Sequence, residues 1–275
     1  MRPLKTAFLA LVICPALCLA KTEIPIRTMS YFPDGRDIVC LNGENRYTRG
    51  LYGTHTRFRL ETSDRPLFAT YDKLDSYNFR FFLSVGGTQT QLDSTDWCEA
   101  RYRGGYRIYT LKDESWGGGS VKLTAMASFS SERAIWRFEL SGFDSPVSLR
   151  ALKVHIAGTS FIRDGDLGID PREAFDPSDS GEGLQDISWE PESVSYCIYD
   201  HRGELFVPQR EQGDEIFTRE QELCSRIMDQ VVIDTPDPFC NTLGANLMAA
   251  ADGNYDGKTV LHGANGWRTT LAGWR

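Results

Sequence analysis

A chain of 275 residues, 41% hydrophobic and 25% charged, is long enough for one large domain or two smaller ones with buried cores. Its net charge of -8, with Lys and Arg interspersed among the acids, excludes the basic footprint of a nucleic-acid or anionic-lipid binder. Aromatic residues make up 12%, which suits a β-rich protein that handles sugars and equally any aromatic core.

Residues 1–20 read as a cleavable secretory signal peptide. Arg2 and Lys5 supply the positive start, Thr6–Cys14 an apolar run, and Cys18 and Ala20 small residues at alternate positions. Cleavage is expected after Ala20, giving a mature chain that begins at Lys21 and is exported to the periplasm or beyond the cell. A membrane span needs roughly 20 apolar residues; Pro15 and Lys21 leave too few, and no later segment is apolar enough. Bulky Leu17 and Ile13 precede Cys18 and Cys14, which argues against a lipid anchor. Of the seven cysteines, Cys40, Cys98, Cys197, Cys224 and Cys240 follow the signal. An odd number in a chain of this size is no disulfide framework; one or two bridges or buried free thiols both fit. There is no C-x-x-C pair, so a structural zinc site is not expected.

From Tyr47 to Val207 short strand-like runs alternate with Gly, Asp, Ser and Pro. Thr56–Thr62 sets Phe58 and Leu60 against Arg57, Arg59 and Glu61. Phe79–Val85, Arg101–Leu111, Val121–Phe129, Ala134–Leu140, Ser148–Ile156 and Val194–Tyr199 follow. Many closely spaced strands without intervening helices predict a mainly β protein, an antiparallel β-sandwich, over residues 21–217. Ile162–Trp189 reads as a long polar loop. The pattern changes near Thr218: Arg219–Asp229 predicts a short amphipathic helix and Val231–Ile233 an extended piece, together a linker over 218–235. Asp237 then caps a helix with Pro238 in its first position, and Phe239, Leu243, Leu247 and Ala251 form one stripe expected to be buried. The chain ends at Trp274-Arg275 without a stop signal, so residues 236–275 are expected to begin a second, helical domain that is cut short.

Two stretches resemble a known family. Asn45-Arg46-Tyr47-Thr48-Arg49-Gly50-Leu51-Tyr52-Gly53 with Asp64-Arg65-Pro66-Leu67-Phe68 resembles the opening of a group of large secreted bacterial proteins described as a domain of unknown function. Asp234-Thr235-Pro236-Asp237-Pro238, Asp252-Gly253, Asp256-Gly257-Lys258, His262-Gly263, Trp267-Arg268 and Gly273-Trp274-Arg275 resemble its next part. There a supersandwich-like β domain is followed by an (α/α)6 barrel of the six-hairpin glycosidase type. The resemblance implies that this is the N-terminal part of a secreted glycoside hydrolase acting on a complex polysaccharide. Such enzymes hydrolyse O-glycosyl bonds with paired carboxylates; those are expected beyond residue 275, so the catalytic residues are unknown and this piece alone is expected to be inactive. No cofactor is implied. The alternative is a non-catalytic β-sandwich that binds carbohydrate or supports a partner domain.

The first barrel loop supplies the candidate substrate-binding residues. Trp267 and Trp274 offer flat faces for sugar stacking, with packing of the loop as the competing role. Asp256, His262 and Arg268 offer hydrogen bonds to hydroxyls or an acidic sugar. Asp252–Gly257 also matches half of a calcium loop, but position twelve is Gly263 where the bidentate acid belongs, so no metal is expected. Asp164, Asp166 and Asp170 read as a solvated loop. The four histidines, His55, His155, His201 and His262, are scattered, and His155 reads as a strand residue.

Overall fold

A computed structural model of the chain describes residues 30–45, 49–53, 58–71, 76–155, 184–200, 202–255, 258 and 260. The segment expected to be a signal peptide, most of the polar loop and the Asp164, Asp166 and Asp170 cluster lie outside them, as do Asp256 and Gly257 of the second acidic motif. Among the described residues the fold is mainly β, in two antiparallel sheets. The strands in chain order are β1 (Tyr31–Asp34), β2 (Asp37–Leu41), β3 (Arg49–Tyr52), β4 (Arg59–Thr62), β5 (Phe68–Tyr71), β6 (Ser76–Val85), β7 (Thr88–Gln91) and β8 (Trp97–Arg103). They continue with β9 (Tyr106–Lys112), β10 (Ser120–Ala127), β11 (Arg133–Ser141), β12 (Val147–His155), β13 (Gln185–Trp189), β14 (Val194–Asp200) and β15 (Glu204–Phe206). Three helices follow: α1 (Arg210–Met228), α2 (Pro238–Asn241) and α3 (Leu243–Gly253).

The first sheet runs β1-β2-β8-β9-β10-β11-β14-β15; the second runs β13-β12-β6-β5-β4-β3, with β7 pairing on β6. The chain therefore crosses between sheets after β2, β7, β11 and β13, as a sandwich requires. Alternation sorts the side chains. Leu60, Phe68, Phe79, Phe81, Leu83, Leu149 and Ala151 from one sheet meet Tyr109, Leu111, Leu123, Trp136, Phe138 and Tyr199 from the other in a single buried cluster. Trp136 sits at its centre, with ring centroids 5.6, 5.0 and 5.1 Å from those of Phe68, Phe79 and Phe81.

Two hairpins are not evident as such in the sequence pattern. β1 and β2 close over Gly35-Arg36, Gly35 taking φ 60, where Asp-Gly is a turn signal. The run Arg101–Leu111 is no single strand. It folds back at Gly104-Gly105 with Gly105 at φ 83, and Tyr102 and Tyr106 end up on different strands.

The helices depart further from expectation. α1 begins at Arg210, nine residues ahead of the expected start, because Arg-Glu-Gln-Gly carries neither an apolar stripe nor a capping side chain at Gln209 to mark it. Its buried face is Gly213, Phe217, Glu220, Cys224 and Met228, while Leu223 and Ile227 are only half-buried. This face covers Tyr106, Met126, Ile135, Tyr196 and Ile198 on the outside of the first sheet. Glu220 accepts from the backbone N–H groups of Phe129 and Ser130 at 2.7 and 3.1 Å and so pins the β10–β11 turn to the helix. Asp237 caps α2 as expected, accepting from Phe239 N–H at 2.9 Å. The expected buried stripe is wrong: Phe239, Leu243 and Leu247 are 37, 44 and 59% exposed, and Ala251 is exposed too. The helix breaks at Thr242, and α3 buries its small residues instead, Gly244, Ala245, Ala249 and Gly253. Small side chains let backbones approach closely: a Cβ on Gly104 would lie 2.6 Å from the Ala245 Cβ, and one on Gly244 would lie 2.6 Å from the Val231 carbonyl oxygen. That proximity turns the larger residues outward. Among the described residues Cys40, Cys98, Cys197, Cys224 and Cys240 are free thiols, the first four buried and Cys240 partly exposed. Burial pushes the Cys98 and Cys224 thiols up to about 12, where they are poor nucleophiles. His155 is the last residue of β12, its ring 5.5 Å from that of Tyr77.

Candidate functional site

The candidate residues Asp256, His262, Trp267, Arg268 and Trp274 all lie outside the described residues. The structure reaches the root of their loop, where α3 ends at Gly253 and Tyr255 bridges antiparallel to Val260. Three other places within the sandwich carry polar chemistry.

The first is a knot around Asp64, in the Asp-Arg-Pro-Leu-Phe motif that follows β4. Asp64 is fully buried. Its carboxylate accepts from Tyr31 Oη at 2.9 Å, Asn45 N–H at 3.0 Å and Tyr102 Oη at 3.1 Å, and faces the Arg107 guanidinium at 3.4 Å. Arg107, also fully buried, donates to the Ser63 carbonyl at 2.9 Å and lies 3.0 Å from the Tyr102 ring centroid. Arg65 reaches the carbonyls of Gly43 and Thr95 at 3.3 and 2.7 Å. Every group here except Arg107 Nη1 is turned inward onto a partner. The motif braces the β2–β3 connection against both sheets, an architectural role.

The second lies on the outer face of β3–β4, beneath the end of α3. Alternation put Arg59 and Glu61 opposite the core, and they do leave the inner cluster, yet they are only 9 and 5% exposed. Arg59 stacks over Tyr52, 4.1 Å from the ring centroid, and the same ring packs against Gly253, where a Cβ would fall 2.1 Å from Tyr52 Cδ1. Arg59 Nε and Nη2 are buried with no hydrogen-bond partner, as is Asn254 Oδ1. The Glu61 carboxylate lies over Gly50, at 3.0 Å from where a Cβ would stand. Burial raises the Glu61 carboxyl from its ordinary 4.5 to about 6, and the positive charge of Arg59 opposes this only in part.

The Glu61 shift has a consequence for stability. The folded state holds the Glu61 proton more tightly than the unfolded chain, so the group's contribution is fully present below about pH 4.5 and is lost as pH rises through about 6. Glu61→Gln removes the buried charge. It is expected to stabilise the fold at pH 7 by about 1–2 kcal/mol, at about 1.4 kcal/mol per pKa unit, and to change little at pH 4. Urea unfolding at the two pH values checks this; a variant less stable than the parent at pH 7 would mean that Glu61 forms a net-favourable ion pair.

The third is an open cleft of about 670 Å³ at the opposite end of the second sheet. It gathers the β6–β7 turn (Ser84, Gly87), the β11–β12 connection (Ser141–Ser148) and the β13–β14 connection (Glu190–Ser193). Phe143 is its aromatic, half-buried, its ring lodged where a Cβ on Gly119 would lie 2.3 Å away. Trp116 backs it with ring centroids 6.0 Å apart. Hydroxyls of Ser84, Ser141, Ser145, Ser148 and Ser193 line the walls, and the charged lining residues, Glu190 and Glu192, are both acidic. Arg210 at the start of α1 holds Glu192 at 2.9 Å. An aromatic edge, a wall of hydroxyls and two carboxylates suit a neutral polyhydroxylated ligand, and the volume is in the range of ligand sites. Sequence pattern missed the cleft because its walls come from three turns far apart in the chain.

Among the described residues no three His, Cys, Asp or Glu side chains are grouped to hold a metal ion, and no helix is long and apolar enough to cross a membrane. The model of a family described as a domain of unknown function (DUF4450) matches residues 76–194. That segment runs from β6 to the first residue of β14 and contains every residue that lines the cleft. No curated protein matches the chain.

Proposed function

We propose that the chain is the glycan-holding β-sandwich of a secreted, polysaccharide-degrading protein, in which an (α/α)6 domain of the six-hairpin type supplies the hydrolytic carboxylates. The observation that carries this reading is the cleft: Phe143, the serine hydroxyls and the two glutamates all fall within the family-matched segment. The ring presents an apolar edge to sugar C–H groups, the hydroxyls and carboxylates take the sugar hydroxyls, and the absence of Lys and Arg from the lining favours a neutral over an acidic sugar. The cleft carboxylates are exposed and one is tied to Arg210, an arrangement for holding a ligand rather than cleaving it. Binding to a panel of neutral polysaccharides, followed by affinity electrophoresis, is expected to show retardation. Phe143→Ala should weaken it severalfold, in line with about 0.5–1.5 kcal/mol for an aromatic contact, and Glu190→Gln should weaken it without loss of thermal stability. Unchanged retardation in both variants removes the cleft from the binding reaction.

A second reading, a platform for a helical domain, is favoured by the outward Phe239, Leu243 and Leu247 and by Val232, which is 65% exposed. A chain that binds no glycan and associates with its helical domain through these residues would fit it.

A further inference from the structure

The outer face of β4 offers chemistry that the cleft reading does not use. Arg59 Nε and Nη2 are the two nitrogens of one edge of the guanidinium, the edge that pairs side-on with both oxygens of a carboxylate. Both are closed to bulk water and neither has a hydrogen-bond partner. A buried guanidinium without a partner is costly, and burial pulls Arg59 down from its ordinary value even with Glu61 nearby. Glu61 does not take the edge: its carboxylate lies over Gly50, and the pair forms no salt bridge within 4 Å. Tyr52 covers the guanidinium from one side, its ring centroid 4.1 Å from Arg59 Cζ. The amide oxygen of Asn254, at the end of the helix that packs on the same Tyr52, is a second buried polar atom with no partner. It is an acceptor, and a sugar hydroxyl is the donor that would satisfy it.

We propose that this edge is a carboxylate site, and that with Asn254 it takes a uronic-acid sugar, the acid on Arg59 and a hydroxyl on Asn254. The identity of the carboxylate as a sugar acid rests on the glycan reading above; the site does not. It is also distinct from the cleft. Asn78, in register through Ala69 with Glu61, and Ser84 in the cleft are six residues apart along β6, which is about 20 Å of strand.

The test is the Nε–H resonance of Arg59 in the isotopically labelled chain, titrated at about pH 5 with galacturonate, acetate and galactose. At that pH the uronate is charged and Glu61 carries its proton. Galacturonate is expected to shift the resonance saturably and to bind at least about tenfold more tightly than acetate, with no response to galactose. Arg59→Lys keeps the charge and loses the edge, and should weaken galacturonate about tenfold or more. Because Nε and Nη2 have no hydrogen bond to lose, this variant should fold; its melting temperature and binding are read together. Acetate binding as tightly as galacturonate would overturn the sugar assignment and leave the cleft reading intact. No shift with either acid, or a resonance that follows only the titration of Glu61, would overturn the site. Phe143→Ala should leave the galacturonate response unchanged, so failure at the cleft and failure at Arg59 are told apart.

Discussion

Asp64→Ala is expected to destabilise the fold by at least about 3 kcal/mol, enough to unfold much of a domain of ordinary stability. The carboxylate is fully buried and serves two tyrosine hydroxyls, one backbone N–H and one guanidinium. Removing it leaves Arg107 as a fully buried cation without its anion and strands the Asn45 amide. Breaking a buried pair from one side costs about 3–5 kcal/mol, because the surviving charge keeps its desolvation penalty. Asp64→Asn keeps the shape and one acceptor oxygen and should lose less. Arg107→Met combined with Asp64→Ala should cost less than the sum, since the stranded cation is then gone. Urea unfolding of the parent, Asp64→Ala, Asp64→Asn, Arg107→Met and the double variant checks this. A loss below about 1 kcal/mol for Asp64→Ala would show that water enters the knot and that it is not the brace described above.

Gly213→Ala is expected to destabilise by about 1–3 kcal/mol, against the sign that helix propensity predicts. Alanine gains about 1 kcal/mol over glycine in a helix interior. Here the new Cβ would stand 2.2 Å from Cδ2 of Tyr196. The ring cannot step aside: Tyr196 is 1% exposed, its hydroxyl donates to Asp214, and Arg137 Nε donates to it at 3.2 Å. Helix α1 must lift from the sheet instead, an overpacking cost of the usual 1–3 kcal/mol. Thermal unfolding gives the sign, and Tyr196→Leu in the same background should restore part of the loss. A stabilised Gly213→Ala variant would mean that α1 does not bear on Tyr196.

The sandwich was legible because its strands alternate over a full length. Val121–Ala127, Ala134–Leu140 and Leu149–Val154 place one residue in two in the core, and no helix period fits them. The hairpin at Gly104-Gly105 was not, because Tyr102 and Tyr106 lie on either side of the glycines and the run looks continuous. The orientation of α3 failed for a related reason. Spacing identifies a stripe but not which face meets a neighbour, and Gly244, Ala245 and Ala249 were invisible to a search for bulk although they permit the closest approach. Alternation set Arg59 and Glu61 on the face opposite Phe58 and Leu60, but alternation reports the inner face of a sheet and says nothing of what lies against the outer one. The cleft required three turns to be brought together, a fact of topology. The loop proposed from the resemblance, Asp256 to Arg275, lies almost wholly outside the described residues.

The crossing of the chain between sheets sets the order in which the protein can be assembled. β2 waits for β8, β6 for β12 and β11 for β14, so neighbours in space, from Glu139 and Val194 to Tyr77 and His155, are synthesised 55 to 78 residues apart. Until residue 155 has emerged, β6 has an open edge beside Phe79, Phe81 and Leu83. Pairings this distant close slowly, and open apolar edges seek other chains. Folding on the scale of milliseconds to seconds, with a premium on a holding chaperone while the C-terminal strands arrive, is the kinetic cost of this strand order.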